Sequence, residues 1–460
     1  TEDEGWRLEI DDLPELTEVG AQRQHTNLQK AALNPSYGSG PYAYKNGSYG
    51  SGYYTKKDFI EILQYAKERH VMVIPEVNLP GHARAAIKSM EKRYEKYMEQ
   101  DNKKAAEEFR LIDPQDKSQY KSAQSYRDNI VCVCRESVYA FYEKVIDEII
   151  EMYAIAEAPL EYFHVGGDEV PEGPWTNSPI CDALIAESPE LQNPDQLQTY
   201  FFRKAVEMLN ERNIKIAGWE ETALKSDNNE TVVNDEFIDK NLIPYVWNNL
   251  WGNQDLGYRL ANKGYPVVLC PVTNFYFDLA YDKDPEEAGL YWAGFINAKN
   301  AYEYAPFDVF KTTKRDNAQY TPIDPLVEFS GMERLNSNGR QNILGLQAQL
   351  WSETIKGPQM LEYYLLPKLF GFAESAWAKE RVWETEDDPN IRNQMVNEGW
   401  NKLTNTIGQK EMPRLDKLFG GFNYRIPPPG AIITNGTLFA NTSYPGLIIR
   451  YTTDGSEPDI

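Results

Sequence analysis

The sequence predicts an α/β protein built on parallel strands, with a (β/α)8 TIM barrel as the favoured architecture. From about residue 55, continuously apolar strands alternate with amphipathic helices, which is typical of parallel strands covered by helices. A doubly wound open sheet could hold the same strands, but the glycine-rich phosphate loop that usually follows its first strand is missing. Six strands can be counted, so a barrel of eight would need two more strands before residue 1.

Each predicted element rests on its own local pattern. Thr55 and Asp58 have the spacing of a capping box, and the apolar residues after them recur on one helical face, which predicts that a helix starts there. Further amphipathic helices are predicted near 138–152, 196–212, 256–262 and 359–377. The predicted strands are short apolar runs at 71–75, 160–165, 214–219, 243–247, 266–272 and 343–350.

A second domain is predicted after the last helix. Residues 1–424 are expected to form the barrel, incomplete at its N-terminal side, and the proline-rich segment 425–431 is expected to be a stiff linker. Residues 432–460 are expected to begin a C-terminal β-sandwich domain, with a strand at 447–453 that enters a turn at Asp454 and Gly455.

The composition is that of a folded and strongly acidic protein. Of its 460 residues, 41% are hydrophobic and 25% are charged, and the net charge is -23. Such a surface repels phosphate groups, which argues against nucleic acid as a partner. No apolar run approaches the ~18 residues that a membrane-spanning helix needs. The aromatic content of 13% is high, and most of these residues are expected to fill the core.

Aromatic and acidic residues recur where the predicted strands end, which is where a barrel forms its active site. A sugar ring offers apolar C–H faces, which flat aromatic rings contact, and hydroxyls, which donate to carboxylates and asparagine. A single tryptophan beside a carboxylate is more often core packing, but the repeated pairing predicts a pocket for a neutral carbohydrate. The residues concerned are Glu76, Asn78, His82, Asp168, Glu169, Trp219, Glu220, Glu221, Trp247, Asn248, Asn249, Tyr276, Asp278, Trp351 and Glu353.

Asp168 and Glu169 form the candidate chemical centre. Two glycines precede them and allow the backbone to approach a ligand closely. Adjacent carboxylates shielded from water cannot both ionise freely, so the pKa of one should rise, and a glycosidic oxygen needs a protonated carboxyl as general acid. One alternative is an exposed acidic turn. Another is a metal site that includes His82, although no HExxH-like ligand spacing accompanies it, and no metal or cofactor is predicted.

The residues around this pair resemble glycoside hydrolase family 20, the β-N-acetylhexosaminidases. The family signature H-x-G-G-D-E matches YFHVGGDE at 162–169, and three further segments match in the same order, namely DEGWRLEI at 3–10, IPEVNLPGH at 74–82 and LWSE at 350–353. The stretches 13–20 and 82–90 look most similar to the bacterial chitobiase branch, and 450–458 resembles the start of the chitobiase C-terminal domain. The resemblance covers nearly the whole chain.

The resemblance implies a (β/α)8 barrel and a retaining, substrate-assisted mechanism, in which the sugar's own 2-acetamido oxygen attacks the anomeric carbon and forms an oxazolinium intermediate. It implies that Glu169 acts first as acid and then as base, that Asp168 holds the acetamido N–H, and that Tyr276 hydrogen-bonds the acetamido carbonyl. The residues implied to contact the terminal sugar are Trp219, Trp247 and Trp351, which would enclose it, and Asp278 and Glu353, which would accept from its hydroxyls.

The same resemblance implies roles for residues behind the site. His82 would help to set the protonation of the general acid, with an acidic partner at Glu2 or Asp3, where the family commonly has paired aspartates. Asn78 stands where the family frequently has aspartate. His164 belongs to the signature, and its position on a strand fits a buried structural histidine at least as well as a ligand contact.

The chitobiase-like pattern also implies a disulfide between Cys134 and Cys181, which needs an exported protein. The expected location is therefore periplasmic, associated with the outer membrane, or secreted from a bacterium. Four reduced thiols in a cytosolic protein are the alternative.

The expected function is that of an exo-acting β-N-acetylhexosaminidase. Its expected substrates are chitin oligosaccharides or related glycans that end in N-acetylglucosamine, with N-acetylgalactosamine as a possible second sugar. Two alternatives stay open. The first is a carbohydrate-binding protein that keeps the pocket without turnover, and the second is a two-carboxylate retaining glycosidase that acts on sugars without an acetamido group.

Overall fold

The computed structural model describes residues 2–24, 33–34, 49–227, 230–314 and 323–458. The chain divides into two compact units. The first comprises Thr1–Trp247, Leu256–Leu269 and Leu335–Leu344, and the second comprises Asn248–Asp255, Cys270–Arg334 and Gly345–Ile460. Among the described helices, none is both long and apolar enough to cross a bilayer.

The first unit contains a parallel sheet. The strands in chain order are β1 (Tyr162–His164), β2 (Lys215–Trp219), β3 (Leu224–Asp227), β4 (Glu230–Val233), β5 (Leu242–Val246), β6 (Val267–Leu269) and β7 (Ile343–Leu346). The sheet order is β1-β2-β5-β6-β7, and the first two residues of β7 belong to the first unit. The pairs β1–β2, β2–β5 and β5–β6 are parallel, so the carboxyl ends of these strands lie at one edge. Strands β3 and β4 form a separate antiparallel pair.

The predictions for the central strands are confirmed, but the strand predicted at 71–75 is wrong. Val71 and Met72 are 58% and 41% exposed, and no strand is formed there. Pairing with β1 begins later, because the His164 N–H donates to the Pro75 carbonyl and the Val77 N–H donates to the His164 carbonyl. Periodicity recognises an apolar run but does not say which part of it finds a partner strand.

Two predicted helices are confirmed in detail. Helix Lys56–Lys67 begins at a capping box, in which Thr55 Oγ1 accepts from the Asp58 N–H while the Asp58 carboxylate accepts from the Thr55 N–H. Helix Glu136–Ile155 buries the face predicted from its apolar periodicity. Helices Leu197–Glu211 and Leu256–Lys263 also form where they were predicted.

The single helix predicted at 359–377 is wrong, since the structure has Pro358–Leu365 followed by Lys368–Trp377. Leu366 lies between them with φ -113 and ψ 127, because Pro367 lacks an N–H and pushes the preceding residue out of the helical region. The other helices are Glu15–Glu18, Arg84–Glu99, Lys103–Glu107, Pro179–Glu187, Val272–Phe275, Ala298–Tyr302, Pro325–Glu328, Ser337–Asn342, Val382–Thr385, Pro389–Thr406 and Met412–Leu415. A π-helical turn spans Ile407–Glu411, and 3-10 turns span Pro194–Gln196, Glu220–Ala223, Asp235–Phe237, Val309–Lys311 and Leu418–Gly420.

The C-terminal part of the second unit contains an antiparallel hairpin. Its strands are β8 (Gly430–Thr434) and β9 (Thr437–Asn441), and Asn435 and Gly436 join them with positive φ, as a tight hairpin turn requires. The hairpin starts inside the segment expected to be a linker. The strand predicted at 447–453 does not form within the described residues. The domain boundaries proposed from the sequence stay a prediction.

The structure joins Cys134 and Cys181 in a disulfide with Cα atoms 5.2 Å apart. Cys132 and Cys270 lie outside this disulfide and are buried. The Cys132 and Cys181 sulfur atoms lie 3.9 Å apart, so a third cysteine contacts this disulfide.

Candidate active site

Asp168 and Glu169 lie on the loop that follows β1. Gly166 and Gly167 precede them with φ of +71 and +97, and a Cβ atom on Gly166 would lie 1.9 Å from Asn78 Oδ1. Only glycine fits such a contact and such a backbone. Glu169 itself has a φ of +52, a left-handed conformation that is unfavourable for residues other than glycine and is frequent at functional sites.

His82 stands between two pairs of acidic side chains. Its Nδ1 lies 3.2 Å from Glu2 Oε2 and 3.3 Å from Asp3 Oδ2, and its Nε2 lies 3.6 Å from Asp168 Oδ2 and 3.4 Å from Glu169 Oε2. Burial lowers the pKa of His82, but the charges and contacts of these carboxylates outweigh burial and leave the pKa well above its usual value. His82 is therefore a protonated imidazolium near neutral pH.

Glu2 and Asp3 both lie within contact distance of this imidazolium. Asp3 is buried, and it accepts from the backbone N–H of Arg84 at 3.0 Å and from Asn129 Nδ2 at 2.9 Å. Burial raises the pKa of Glu2 to about 8, although the charge of His82 opposes the shift. Asp3 is thus the more firmly anchored of the two partners.

Asp168 and Glu169 have opposite pKa shifts. Burial raises the pKa of Asp168, against the opposing effects of His82 and of a hydrogen bond from Asn78. Burial also acts to raise the pKa of Glu169, but contacts with His82 and Gln124 outweigh it and leave that pKa below its usual value. One pKa of the pair rises as expected, but it is that of Asp168, whereas Glu169 is ionised beside a protonated His82.

Glu221 was noted at a strand end in the sequence but was given no role there. The Glu169 N–H donates to Glu221 Oε1 at 3.4 Å, and Glu221 Oε2 is buried and has no hydrogen-bond partner among the residues that the structure describes. Burial, with the charges of Glu220 and Asp168, raises the pKa of Glu221 well above its usual value. Its place directly after β2, beside Trp219, was the available signal.

The tryptophans at the ends of β2 and β5 are buried. Trp219 Nε1 donates to Glu76 Oε1 at 3.0 Å, and His164 Nδ1 lies 3.3 Å from the same oxygen. Burial acts to raise the pKa of Glu76, but these contacts lower it to about 2, so Glu76 is a half-buried anion. The Trp247 backbone N–H donates to Glu220 Oε2 at 3.0 Å. Glu76 and Glu220 were noted at strand ends but not selected as site residues.

The other predicted site residues belong to the second unit. Tyr276 forms a parallel β-bridge with Gln349. The backbone N–H of Trp351 donates to Asp278 Oδ1 at 3.4 Å. The Tyr276 ring contacts Trp292 and Trp351 edge to face, with centroid distances of 6.1 and 6.3 Å. A tyrosine, two tryptophans and a carboxylate therefore come together, which is suited to a sugar ring.

Asp278 is buried, and its Oδ2 has no hydrogen-bond partner in the described part of the chain. Burial, with the charge of the exposed Glu353, raises the pKa of Asp278 to about 7. Lys368, a residue that sequence reasoning missed, is fully buried and donates to the carbonyls of Phe277 at 2.6 Å and Leu279 at 2.7 Å. Lys368 thus holds the backbone on both sides of Asp278.

His82, Asp168 and Glu169 offer ligand atoms that all lie within 4.8 Å of one another, so the metal alternative has a geometric basis. A histidine must be neutral to bind a metal ion, and the raised pKa of His82 works against this. The absence of a metal stays a prediction.

Comparison with known proteins identifies the family. Residues 1–380 match the profile of the glycosyl hydrolase family 20 catalytic domain, and residues 411–459 match the chitobiase/beta-hexosaminidase C-terminal domain. The chain is 36% identical to a beta-hexosaminidase of Vibrio vulnificus and 33% identical to the N,N'-diacetylchitobiase of Vibrio harveyi. Each alignment covers 99% of this chain and 54% of the relative, so the chain spans about half the length of these proteins.

Solved structures agree with this result. The crystal structure of the GH20 exo β-N-acetylglucosaminidase from Vibrio harveyi in complex with N-acetylglucosamine superimposes with a TM-score of 0.62 at 29% identity, over 92% of this chain and 53% of that one. The β-N-acetylhexosaminidase of Bacteroides fragilis, at 21% identity, shows the fold alone, with a TM-score of 0.53 over 87% of this chain and 63% of that one. The prediction of a TIM-barrel α/β fold followed by a chitobiase-type C-terminal domain is confirmed. The chain belongs to glycosyl hydrolase family 20.

Proposed function

We propose that the protein is an exo-acting β-N-acetylhexosaminidase that releases terminal N-acetylglucosamine by a retaining, substrate-assisted reaction. The observation that carries the proposal is the loop after β1, where Asp168 and Glu169 lie side by side, have opposite pKa shifts and share one imidazolium, His82. The names of the relatives support the same activity.

In the first step, the substrate's acetamido oxygen attacks the anomeric carbon, the glycosidic C–O bond breaks, and Glu169 gives a proton to the leaving oxygen. Because Glu169 is ionised in the free site, it needs a proton source, and His82 Nε2 lies 3.4 Å from its Oε2. In the second step, water attacks the anomeric carbon of the oxazolinium, the C–O bond formed by the acetamido oxygen breaks, and Glu169 takes the proton from the water. The pre-held acetamido group replaces a bimolecular attack, which accounts for much of the acceleration.

Asp168 accepts from the acetamido N–H and stabilises the positive charge that develops on the ring. Tyr276 donates to the acetamido carbonyl and sets its direction. Buried Asp278 Oδ2, which has no partner in the described residues, is suited to accept from a ring hydroxyl. The remaining proposed contacts with the sugar are the faces of Trp219, Trp247 and Trp351 and the carboxylate of Glu353.

Hydrolysis of an aryl N-acetyl-β-glucosaminide tests the activity. The wild-type protein should release the aryl alcohol, and Glu169→Gln should lose at least about a thousandfold in kcat/KM, since an amide has no proton to give. Tight binding of N-acetylglucosamine with no release above the variant would instead support the carbohydrate-binding alternative.

A second comparison tests the source of the nucleophile. The wild-type protein should cleave the aryl N-acetyl-β-glucosaminide and leave the matching aryl β-glucoside intact, and a thiazoline analogue of the oxazolinium should inhibit it. Equal cleavage of both glycosides without thiazoline inhibition would support a two-carboxylate glycosidase.

Chitin oligosaccharides are the proposed natural substrates, and export to the periplasm, the outer membrane or the medium is the proposed location. A disulfide between Cys134 and Cys181 supports export, because such bonds persist in oxidising compartments. Relative rates on chitin oligosaccharides, on glycans and on galacto epimers would establish the substrate, and cell fractionation would establish the location.

A further inference from the structure

We propose that Asn78 is a positioning residue that keeps Asp168 a hydrogen-bond acceptor and thereby sets the lowest pH at which the site works. The inference rests on the proposed function, because hydrolysis is the readout.

Asn78 is 2% exposed, and its orientation is determined by its surroundings. The backbone N–H of Gly167 lies 2.8 Å from Asn78 Oδ1, and a backbone N–H can only donate. The amide oxygen must therefore face Gly167, which leaves Nδ2 to face Asp168, where it donates to Oδ1 at 2.7 Å. The reverse orientation of the amide would place two donors together and would leave Asp168 without this partner.

Asn78 Nδ2 also donates to Glu2 Oε1, at 3.2 Å. Gly166 leaves the room for this arrangement, because a Cβ atom there would lie 1.9 Å from Asn78 Oδ1. One neutral amide thus donates to two carboxylates and accepts from the loop that carries the catalytic pair.

This donor matters because the titratable groups that face Asp168 are mostly acids. The titratable groups that face it are His82, which favours its ionised form, and Glu2, Glu76, Glu169 and Glu221, which oppose that form. A neutral N–H donor stabilises the carboxylate without adding charge. A carboxyl group at position 78 would lie against the same oxygen, and the two acids would then share one proton.

The proposed reaction needs ionised Asp168, because the oxazolinium beside it is a cation. The acid limb of the pH profile of kcat/KM should therefore follow the protonation of Asp168. Asn78→Asp should move this limb to higher pH by about one unit or more, with a loss of roughly tenfold on the acid side of the limb and recovery in more alkaline buffer. Asn78→Ala, which loses the donor without adding an acid, should move it by about half a unit.

The experiment compares pH profiles of wild type, Asn78→Asp and Asn78→Ala, with circular dichroism and thermal melting as folding checks. Asn234→Asp is the matched control, because Asn234 is also 2% exposed but lies at the start of the turn Asp235–Phe237. The acid limb of the kcat/KM profile of this variant should coincide with that of the wild type.

Coincident profiles of wild type and Asn78→Asp would overturn the proposal while leaving the proposed function intact. If Asn78→Asp does not fold, Asn78→Ala decides, and an unmoved acid limb in that variant overturns it. A wild-type protein that hydrolyses no N-acetylglucosaminide would reject the proposed function and this inference together.

Discussion

Gln124 Nε2 donates a 2.7 Å hydrogen bond to Glu169 Oε2, the same oxygen that faces His82. Both contacts lower the pKa of Glu169, so the free site holds its general acid as an anion. Removing one donor should raise that pKa and keep Glu169 protonated to higher pH. Gln124→Ala should therefore move upward, by about half a unit, the limb of the kcat/KM profile that follows Glu169, a modest effect because Gln124 is exposed.

A matched control exists in the same segment. Gln119 is also exposed, but it donates to the Lys117 carbonyl, so Gln119→Ala should leave the limb that follows Glu169 in place. An identical shift in both variants would mean that loop disorder, not the hydrogen bond to Glu169, is responsible.

His82 predicts a pH-dependent contribution to stability. Its pKa in the folded protein is raised well above the usual value, so its contribution is fully present below about pH 6.5 and is lost as the pH rises through the folded-state pKa. His82→Asn should therefore lower the free energy of unfolding more near pH 6 than near pH 9. Urea unfolding at the two pH values measures this, and an equal loss at both would show that the charge of His82 contributes nothing.

Strands β2 and β5, which sequence reasoning located correctly, are buried in the sheet, and burial on both faces leaves a continuous apolar run. The run at 71–75 failed since its first residues are exposed, and the paired segment begins only at Pro75. The helix at 359–377 failed because an amphipathic pattern continues across Pro367, whereas backbone hydrogen bonding does not. An apolar pattern thus shows neither which end of a run is exposed nor where the backbone hydrogen bonding stops.

The candidate site likewise contains residues that a local sequence motif marks and residues that it does not. Asp168 and Glu169 were found because a motif holds them together in the sequence. Gln124 reaches Glu169 across 45 residues, and Asn129 reaches Asp3 across 126. Both lie between helices in a segment with no regular period, so no local signal marks them. Only the folded chain brings such residues to the carboxylates.

Replacing Lys368 should cause a large loss of stability. Its ammonium group donates to two buried carbonyls and faces the ring of Tyr281 at 3.9 Å. Lys368→Met would leave both carbonyls without a donor and should cost about 2–4 kcal/mol of unfolding free energy. Lys410→Met is the control, because Lys410 is mostly exposed and pairs with neighbouring Glu411, and it should change stability by less than about 0.5 kcal/mol. Urea unfolding monitored by tryptophan fluorescence distinguishes the two.

Replacing either cysteine of the disulfide should lower the free energy of unfolding, but by unequal amounts. The bond closes a loop of 47 residues, so losing it should cost about 3–4 kcal/mol. Cys181→Ser removes it outright. Cys134→Ser leaves Cys132 with its sulfur 3.9 Å from that of Cys181, and oxidised glutathione can then join this pair, with two thiols oxidised and the glutathione disulfide reduced.

Under oxidising conditions Cys134→Ser should therefore be more stable than Cys181→Ser. This difference in stability should vanish when dithiothreitol is added. It should also vanish when Cys132→Ser is combined with Cys134→Ser. Peptide mapping by mass spectrometry identifies the new bond. Burial raises the pKa of Cys132 to about 11, so the exchange should be slow at neutral pH and faster in alkaline buffer, because the thiolate is the reacting species. Equal unfolding free energies for the two single variants, with no linked peptide, would show that the buried thiol cannot replace Cys134.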